Sequence, residues 1–326
     1  MKKSATITVV GLGIVALTAC STGSTGSAPG AQQDAPDNKN VSLVLGVSGS
    51  PFYEALACGA QAKADELGLN LDVSAGNAFA ADAQVPVINA VTAKKPAGAA
   101  VVPTDAQALL PQLRQLAGGG TKLITVDQTL ADDTIAASQV VTDNLAGGAM
   151  AADEINELIG GNGKVLVITQ PPGSTAQDQR TQGFEEKLAE YPGIEYLGAQ
   201  YQSDDPQKAA QIVTATLAAH PDLAAIFSTN DQGAIGAVTG LQQADAVGRV
   251  KMVAYDAATA EVNALKNGSI QALIAQNPKQ EGEVAMQTLA TLIEGGTVEP
   301  TQTTDLVVIK SDDLAMADQY EYKADC

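Results

Sequence analysis

The sequence predicts an α/β fold built from two parallel sheets, each covered by helices on both faces. Three observations carry that prediction. From residue 41 onward, short β-branched runs alternate with Ala-rich stretches of helical apolar spacing. The runs are nearly continuous in apolar residues rather than alternating, which is the pattern of strands buried on both faces. Ten such runs fall within 326 − 40 = 286 residues, too many for one comfortable doubly wound sheet, so two sheets of roughly five strands are expected.

In chain order the strand runs are VSLVLGV (41–47), LNLDVSA (69–75), GAAVVP (98–103), KLITV (122–126) and KVLVIT (164–169). They continue with IEYLGA (194–199), LAAIFS (223–228), VKMVAY (250–255), IQALIA (270–275) and DLVVI (305–309). The intervening segments read as helices; in 205–219, for example, Ala209, Ile212 and Leu217 repeat at helical spacing. Gly118-Gly119-Gly120 reads as a helix-ending turn before a strand, not a phosphate cradle. No short repeat and no linker divides the chain into contiguous halves, so the two domains share a broad interface or exchange strands.

The first twenty residues, MKKSATITVVGLGIVALTAC, read as an export signal over 1–19. Lys2 and Lys3 form the charged end, and the apolar run Ile7 to Leu17 is too short to span roughly 30 Å of hydrocarbon as a mature helix. Leu17-Thr18-Ala19-Cys20 resembles the bacterial lipobox, which implies a lipidated Cys20 as the first mature residue. Residues 20–40 then form a flexible tether, because STGSTGSAPGAQQDAPDNKN has too little apolar surface to offset its ordering entropy. An extracytoplasmic protein, held to the bacterial membrane through its lipid alone, is expected.

Composition excludes several classes. Without residues 1–19 the formal charge is 16 − 37 = −21, with only three arginines, so a phosphate backbone would be repelled and nucleic acid is not a partner. His220 is the sole histidine and stands before Pro221 at a helix end, which argues against an imidazole metal site or a Ser-His-Asp triad. No metal, no cofactor and no catalytic residue is expected.

Ligands of open α/β sheets bind beyond the carboxyl ends of the strands. That rule selects Ser48, Ser50, Phe52 and Tyr53 after the first run, Asp127 and Gln128 after 122–126, and Thr142, Asp143 and Asn144 after the short run Gln139-Val140-Val141. It also selects Arg180 after 164–169, Asn230 after 223–228, Tyr255 and Asp256 after 250–254, and Gln276 after 270–275. Carboxylates and amides pair with hydroxyl groups while an aromatic face covers C–H bonds, so the set suits a polyhydroxylated small molecule.

The stretches SPFYEALACGAQAKADELG, ITVDQ, TDNLAGGAMA, STAQDQRTQGF, HPDLAAIFSTNDQGAIGAV, VAYDA and GSIQALIAQNP carry a family resemblance. Over roughly residues 41 to 310 the chain resembles the type I periplasmic sugar-binding proteins of ABC transporters, in the ribose- and galactose-binding branch. The resemblance implies two Rossmann-like lobes joined by a three-crossing hinge. The first lobe would hold 41–143 and 277–304, the second 144–276 and 305–314, with the tail 315–326 returning to the first. It places the sugar-stacking aromatics on Phe52 and Tyr53, the first-lobe aspartate on Asp127, and the remaining polar contacts on Ser50, Thr142, Asn230, Tyr255, Asp256 and Gln276.

Three departures from ribose binders are visible. Gln128 and Asp178 stand where arginines are expected, and Asp204 stands where the second-lobe aromatic is expected, with Arg180 two residues from Asp178 and within reach of the cleft. A different pentose, a hexose or a polyol therefore fits as well as ribose. Ser50 and Pro51 also make a good helix start, Asp143 and Asp231 read as caps of the following helices, and Phe52 doubles as a core residue. With Cys20 lipidated, Cys58 and Cys326 remain in an oxidising compartment, and a disulfide between them is expected. The expected protein is a monomer that captures a sugar or polyol and delivers it to an ABC permease. Its alternative is a module that presents the ligand to a chemoreceptor or sensor kinase, and nothing marks the paired carboxylates of a glycosidase.

Overall fold

The computed structural model describes residues 38–323 and residue 326. The expected export segment, Cys20 and the tether up to residue 37 lie outside the described residues. The first sheet holds β1 (Asn40–Leu45), β2 (Asn70–Ala75), β3 (Gly98–Val101), β4 (Lys122–Val126), β5 (Gln139–Thr142) and β11 (Thr301–Thr304). Its order is β11-β5-β4-β3-β1-β2, and every neighbouring pair is parallel. The second sheet holds β6 (Gly163–Thr169), β7 (Ile194–Tyr201), β8 (Leu223–Ser228), β9 (Lys251–Tyr255), β10 (Ala272–Gln276) and β12 (Leu306–Lys310). Its order, β12-β10-β9-β8-β6-β7, repeats that of the first, except that β12 runs antiparallel to β10.

The helices are α1 (Pro51–Leu67), α2 (Ala81–Lys94), α3 (Leu110–Gly118), α4 (Asn144–Ile159), α5 (Thr175–Leu188), α6 (Pro206–Ala219), α7 (Asp231–Gln243), α8 (Thr259–Lys266), α9 (Pro278–Ile293) and α10 (Leu314–Tyr320). The ten apolar runs all become strands, with ends within two residues of expectation. The count per sheet is six, not five. The two additions, QVVT and TQTT, are four residues each and too polar or too short to register as buried strands.

The chain passes between the sheets at 142–144, 276–278 and 304–306. After β5 it enters α4, which packs on α5, β8 and β9; after β10 it enters α9, which packs on α1, β3 and β4. One buried carboxylate links the three passages. Glu281 Oε1 accepts from Thr142 Oγ1 at 2.9 Å and from Thr304 Oγ1 at 3.4 Å, while Thr142 Oγ1 also lies 2.8 Å from Gln276 Oε1. Burial holds the Glu281 carboxyl well above its ordinary value. Helix starts next to the passages are fixed by side chains: Asp143 accepts from Ala146 N–H, and Asn277 accepts from Gln280 N–H.

The tail divides its contacts. Helix α10 packs on β12 and α8 of the second lobe, so the segment after 314 does not return to the first lobe as a whole. Beyond it Tyr322 N–H bonds Ala257 O at 2.9 Å, and Cys326 reaches Cys58 on α1 in a disulfide with a Cα–Cα distance of 5.0 Å. His220 stands at the C-cap of α6.

Candidate ligand-binding cleft

A cavity of about 220 Å³ opens between the carboxyl ends of the two sheets. That is below the roughly 300–1,000 Å³ of sites for drug-sized molecules and suits a ligand of monosaccharide size. Its first-lobe wall is aromatic. Tyr53, on the first turn of α1, lies nearly parallel to Phe79 at 6°, with ring centroids 6.4 Å apart. Phe52 meets the Tyr53 ring edge-on at 5.2 Å. A side chain at Gly46 would stand 2.7 Å from both the Phe79 ring and the Tyr53 hydroxyl, so the end of β1 has room only for glycine.

Asp127 follows β4 with φ 62°, a left-handed conformation that Asp tolerates better than most residues. Its Oδ2 accepts from Tyr53 OH at 2.9 Å and from Gln128 Nε2 at 3.3 Å, leaving Oδ1 with no hydrogen-bond partner among the described residues. Burial raises the Asp127 carboxyl to about 6 against the opposing field of Arg180. The Gln128 amide oxygen turns to the other lobe, where it accepts from Ala176 N–H at 3.0 Å, Thr175 Oγ1 at 3.2 Å and Ser174 Oγ at 3.3 Å at the start of α5. Thr129 N–H to Thr175 Oγ1 and Ala106 N–H to Gly173 O close the same seam.

The second-lobe wall is polar. Arg180 is buried, with Nε on Asn144 Oδ1 at 2.8 Å, Nη1 on Thr229 O at 2.9 Å, and its guanidinium 3.8 Å above the Tyr255 ring. Gly147 makes space for that ring, because a side chain there would overlap the Tyr255 hydroxyl. Asp256 follows β9 with φ 85°; its Oδ1 accepts from Gln276 Nε2 at 2.7 Å and from Tyr322 OH at 3.1 Å. Asp204 Oδ1 accepts from Gln170 Nε2 at 3.0 Å and Asn230 Nδ2 at 3.1 Å.

Nine of the eleven expected ligand contacts line this cavity: Ser50, Phe52, Tyr53, Asp127, Gln128, Arg180, Asn230, Asp256 and Gln276. Thr142 and Tyr255 do not. Thr142 belongs to the passage between sheets, and Tyr255, fully buried, supports Arg180 from behind. Ser50 holds the N-cap position of α1 by its backbone, but its hydroxyl makes no capping bond. The cap of α7 is Asn230, which accepts from Gly233 N–H, so the role expected of Asp231 falls to its neighbour. Asp231 instead lines the cavity, where burial first and then the fields of Asp256 and Asp204 raise its carboxyl to about 7. Asp178 folds back on Gly173 N–H outside the cavity. Phe79, Gln170, Gln177 and Gln232, none of them among the expected contacts, also line it, as do Val47, Ser48 and Gly49 after β1. Phe79 follows β2, where the strand-end rule points as well.

Similarities to known proteins agree with this geometry. Residues 41–297 match the family model described as a periplasmic binding protein domain. The ribose import binding protein of Haemophilus influenzae is 30% identical over 269 residues, covering 82% of this chain and 90% of its own. Among solved structures, an ABC transporter solute binding protein from Agrobacterium vitis bound with α-D-tagatopyranose has a TM-score of 0.85 at 33% identity, covering 87% of this chain and 99% of that one. A solute binding protein from Actinobacillus succinogenes with bound D-allose has a TM-score of 0.79 at 26% identity, covering 85% and 99%. The chain belongs to the periplasmic binding protein domain family.

Proposed function

We propose that this protein captures one monosaccharide or sugar alcohol outside the cytoplasm and delivers it to an ABC import permease. The observation that carries the reading is the pairing of Asp127 and Asp256 on opposite walls of one small cavity. Each has one carboxylate oxygen held by protein donors and the other with no partner among the described residues. Sugar hydroxyls donate to those oxygens, and Tyr53 and Phe79 cover the C–H face. The sugars bound by the relatives, a ketohexose and an aldohexose among them, support the same ligand class.

Binding needs no covalent step. A ligand that bonds to both walls binds the closed arrangement better than the open one and shifts the population toward it. The bonds of Gln128 and Thr129 to the start of α5 then hold the seam, and the permease receives a closed, loaded protein. Lipidation of Cys20 and a 20–40 tether would keep the monomeric protein beside its permease. A thermal-shift screen of pentoses, hexoses and sugar alcohols tests the reading. At about 100 times Kd a ligand adds roughly 2.7 kcal/mol of stability, so a true ligand raises Tm clearly, and silence across all three classes would contradict the proposal.

A further inference from the structure

The cavity carries more negative charge than a neutral sugar can use. Asp127, Asp204, Asp231 and Asp256 line it, with Arg180 as its cationic residue. None of the ion pairs among the described residues includes Arg180 or any of the four aspartates. Arg180 instead spends its donors on Asn144 and the Thr229 carbonyl and lies flat on Tyr255.

The compensation is uneven. The positive field of Arg180 opposes the burial of Asp127, whereas the charges acting on Asp204 and Asp231 are other carboxylates. These two flank Asn230 in the fold: Asp204 Oδ1 takes the Asn230 amide, and Asp231 is the next residue, 8% exposed, with its oxygens on Gln232. Asp204 Oδ2 has no partner among the described residues. Hydroxyl groups need acceptors, and the Gln170 and Gln232 amide oxygens, which take no donor among the described residues, offer them without charge. Asp231 is buried and Asp204 partly exposed at the cavity, with no cation beside either, and keeping both ionised is costly unless a proton or a cation joins them.

Resting on the sugar-binding reading above, we propose that the ligand is an amino sugar. It is a monosaccharide or sugar alcohol bearing a protonated amine that sits against Asp204 and Asp231, while its hydroxyls engage Asp127 and Asp256.

The test is calorimetric titration of the purified full-length protein near pH 7 with 2-amino-2-deoxyhexoses and 1-amino-1-deoxyalditols. Each is matched to the neutral sugar bearing hydroxyl in place of the amine and to its N-acetyl derivative. At least one amine should bind about tenfold or more tighter than both of its matched neutral compounds, with the margin shrinking at high salt. Asp204→Asn, and separately Asp231→Asn, should bring the amine and its neutral match to within about twofold of each other, the ratio of the two affinities being the readout. Two substitutions guard against one failing to fold. Neutral sugars binding as tightly as their amines would overturn the inference and leave the transport reading standing. No binding by amine or neutral sugar would overturn both.

Discussion

Asp127 and Asp256 occupy the same place in the two lobes. Each follows the fourth strand of its lobe, each has positive φ, and each donates its backbone N–H to the adjacent strand: Asp127 to Val140 O on β5 and Asp256 to Ile274 O on β10, both at 2.9 Å. A non-glycine residue in that conformation costs on the order of 1–3 kcal/mol, and the cost recurs at matching positions of the two lobes, each with a carboxylate that lines the cleft. On the proposed reading, strain retained twice at equivalent points positions these two residues for the ligand.

Asp127→Asn and Asp256→Asn should therefore weaken ligand binding far more than they weaken the fold. A hydrogen bond to a charged group contributes about 1.5–3 kcal/mol, so each substitution should raise Kd by roughly 10- to 150-fold in calorimetry. The ligand-free Tm should change little, because the amide keeps an acceptor for the Tyr53 or Gln276 donor.

Thr142 should behave differently. Its hydroxyl joins Gln276 and Glu281 at the passages and does not line the cleft, so Thr142→Val alters closure rather than contact. Affinities for a series of related sugars should fall by a common factor, with their ratios preserved. A changed order of preference would place Thr142 at the ligand after all.

The cleft acids set a pH dependence with a definite sign. Burial raises Asp127 to about 6 and Asp231 to about 7, above the ordinary 3.8, so the folded protein holds protons that the unfolded chain has released. Their stabilising contribution is complete below about pH 4 and is lost as pH rises through 6 and then 7, each unit of displacement corresponding to about 1.4 kcal/mol. The ligand-free Tm should fall across that window, and Asp231→Asn should flatten its upper part. An unchanged slope in the variant would assign the effect to other groups.

The C-terminal strap should tune affinity. Tyr322 OH donates to Asp256 Oδ1 and accepts from Gln276 N–H, its ring meets Phe52 at 5.7 Å, and Cys326 fastens the chain beyond it to α1. Tyr322→Phe keeps the ring and removes both hydrogen bonds; loss of the one that orients Asp256, at about 0.5–1.5 kcal/mol, should raise Kd roughly 2- to 10-fold. Reducing the disulfide should increase hydrogen exchange in 314–323 before the rest of the molecule.

Most of the architecture was legible because buried parallel strands write themselves as apolar runs. The exceptions, β5 and β11, are short, and TQTT carries no apolar residue at all. The strand-end rule found the cleft but not which side chains face it. Tyr255 and Asp256 are consecutive, and only the pleat decides that the first supports Arg180 while the second faces the cavity. Phe79 obeys the same rule after β2, but NAFAAD reads as an ordinary loop. Gln170 directly follows β6 and obeys the same rule, whereas Gln177 and Gln232 lie on α5 and α7, where glutamine is common on surfaces and placement depends on long-range packing.

A crystal structure with the sugar or amino sugar identified by screening tests the central claim most directly. The account predicts ligand hydroxyls within hydrogen-bond distance of both Asp127 and Asp256, with the ring against Tyr53 and Phe79. A ligand bound to one lobe alone, or outside this cavity, would contradict it.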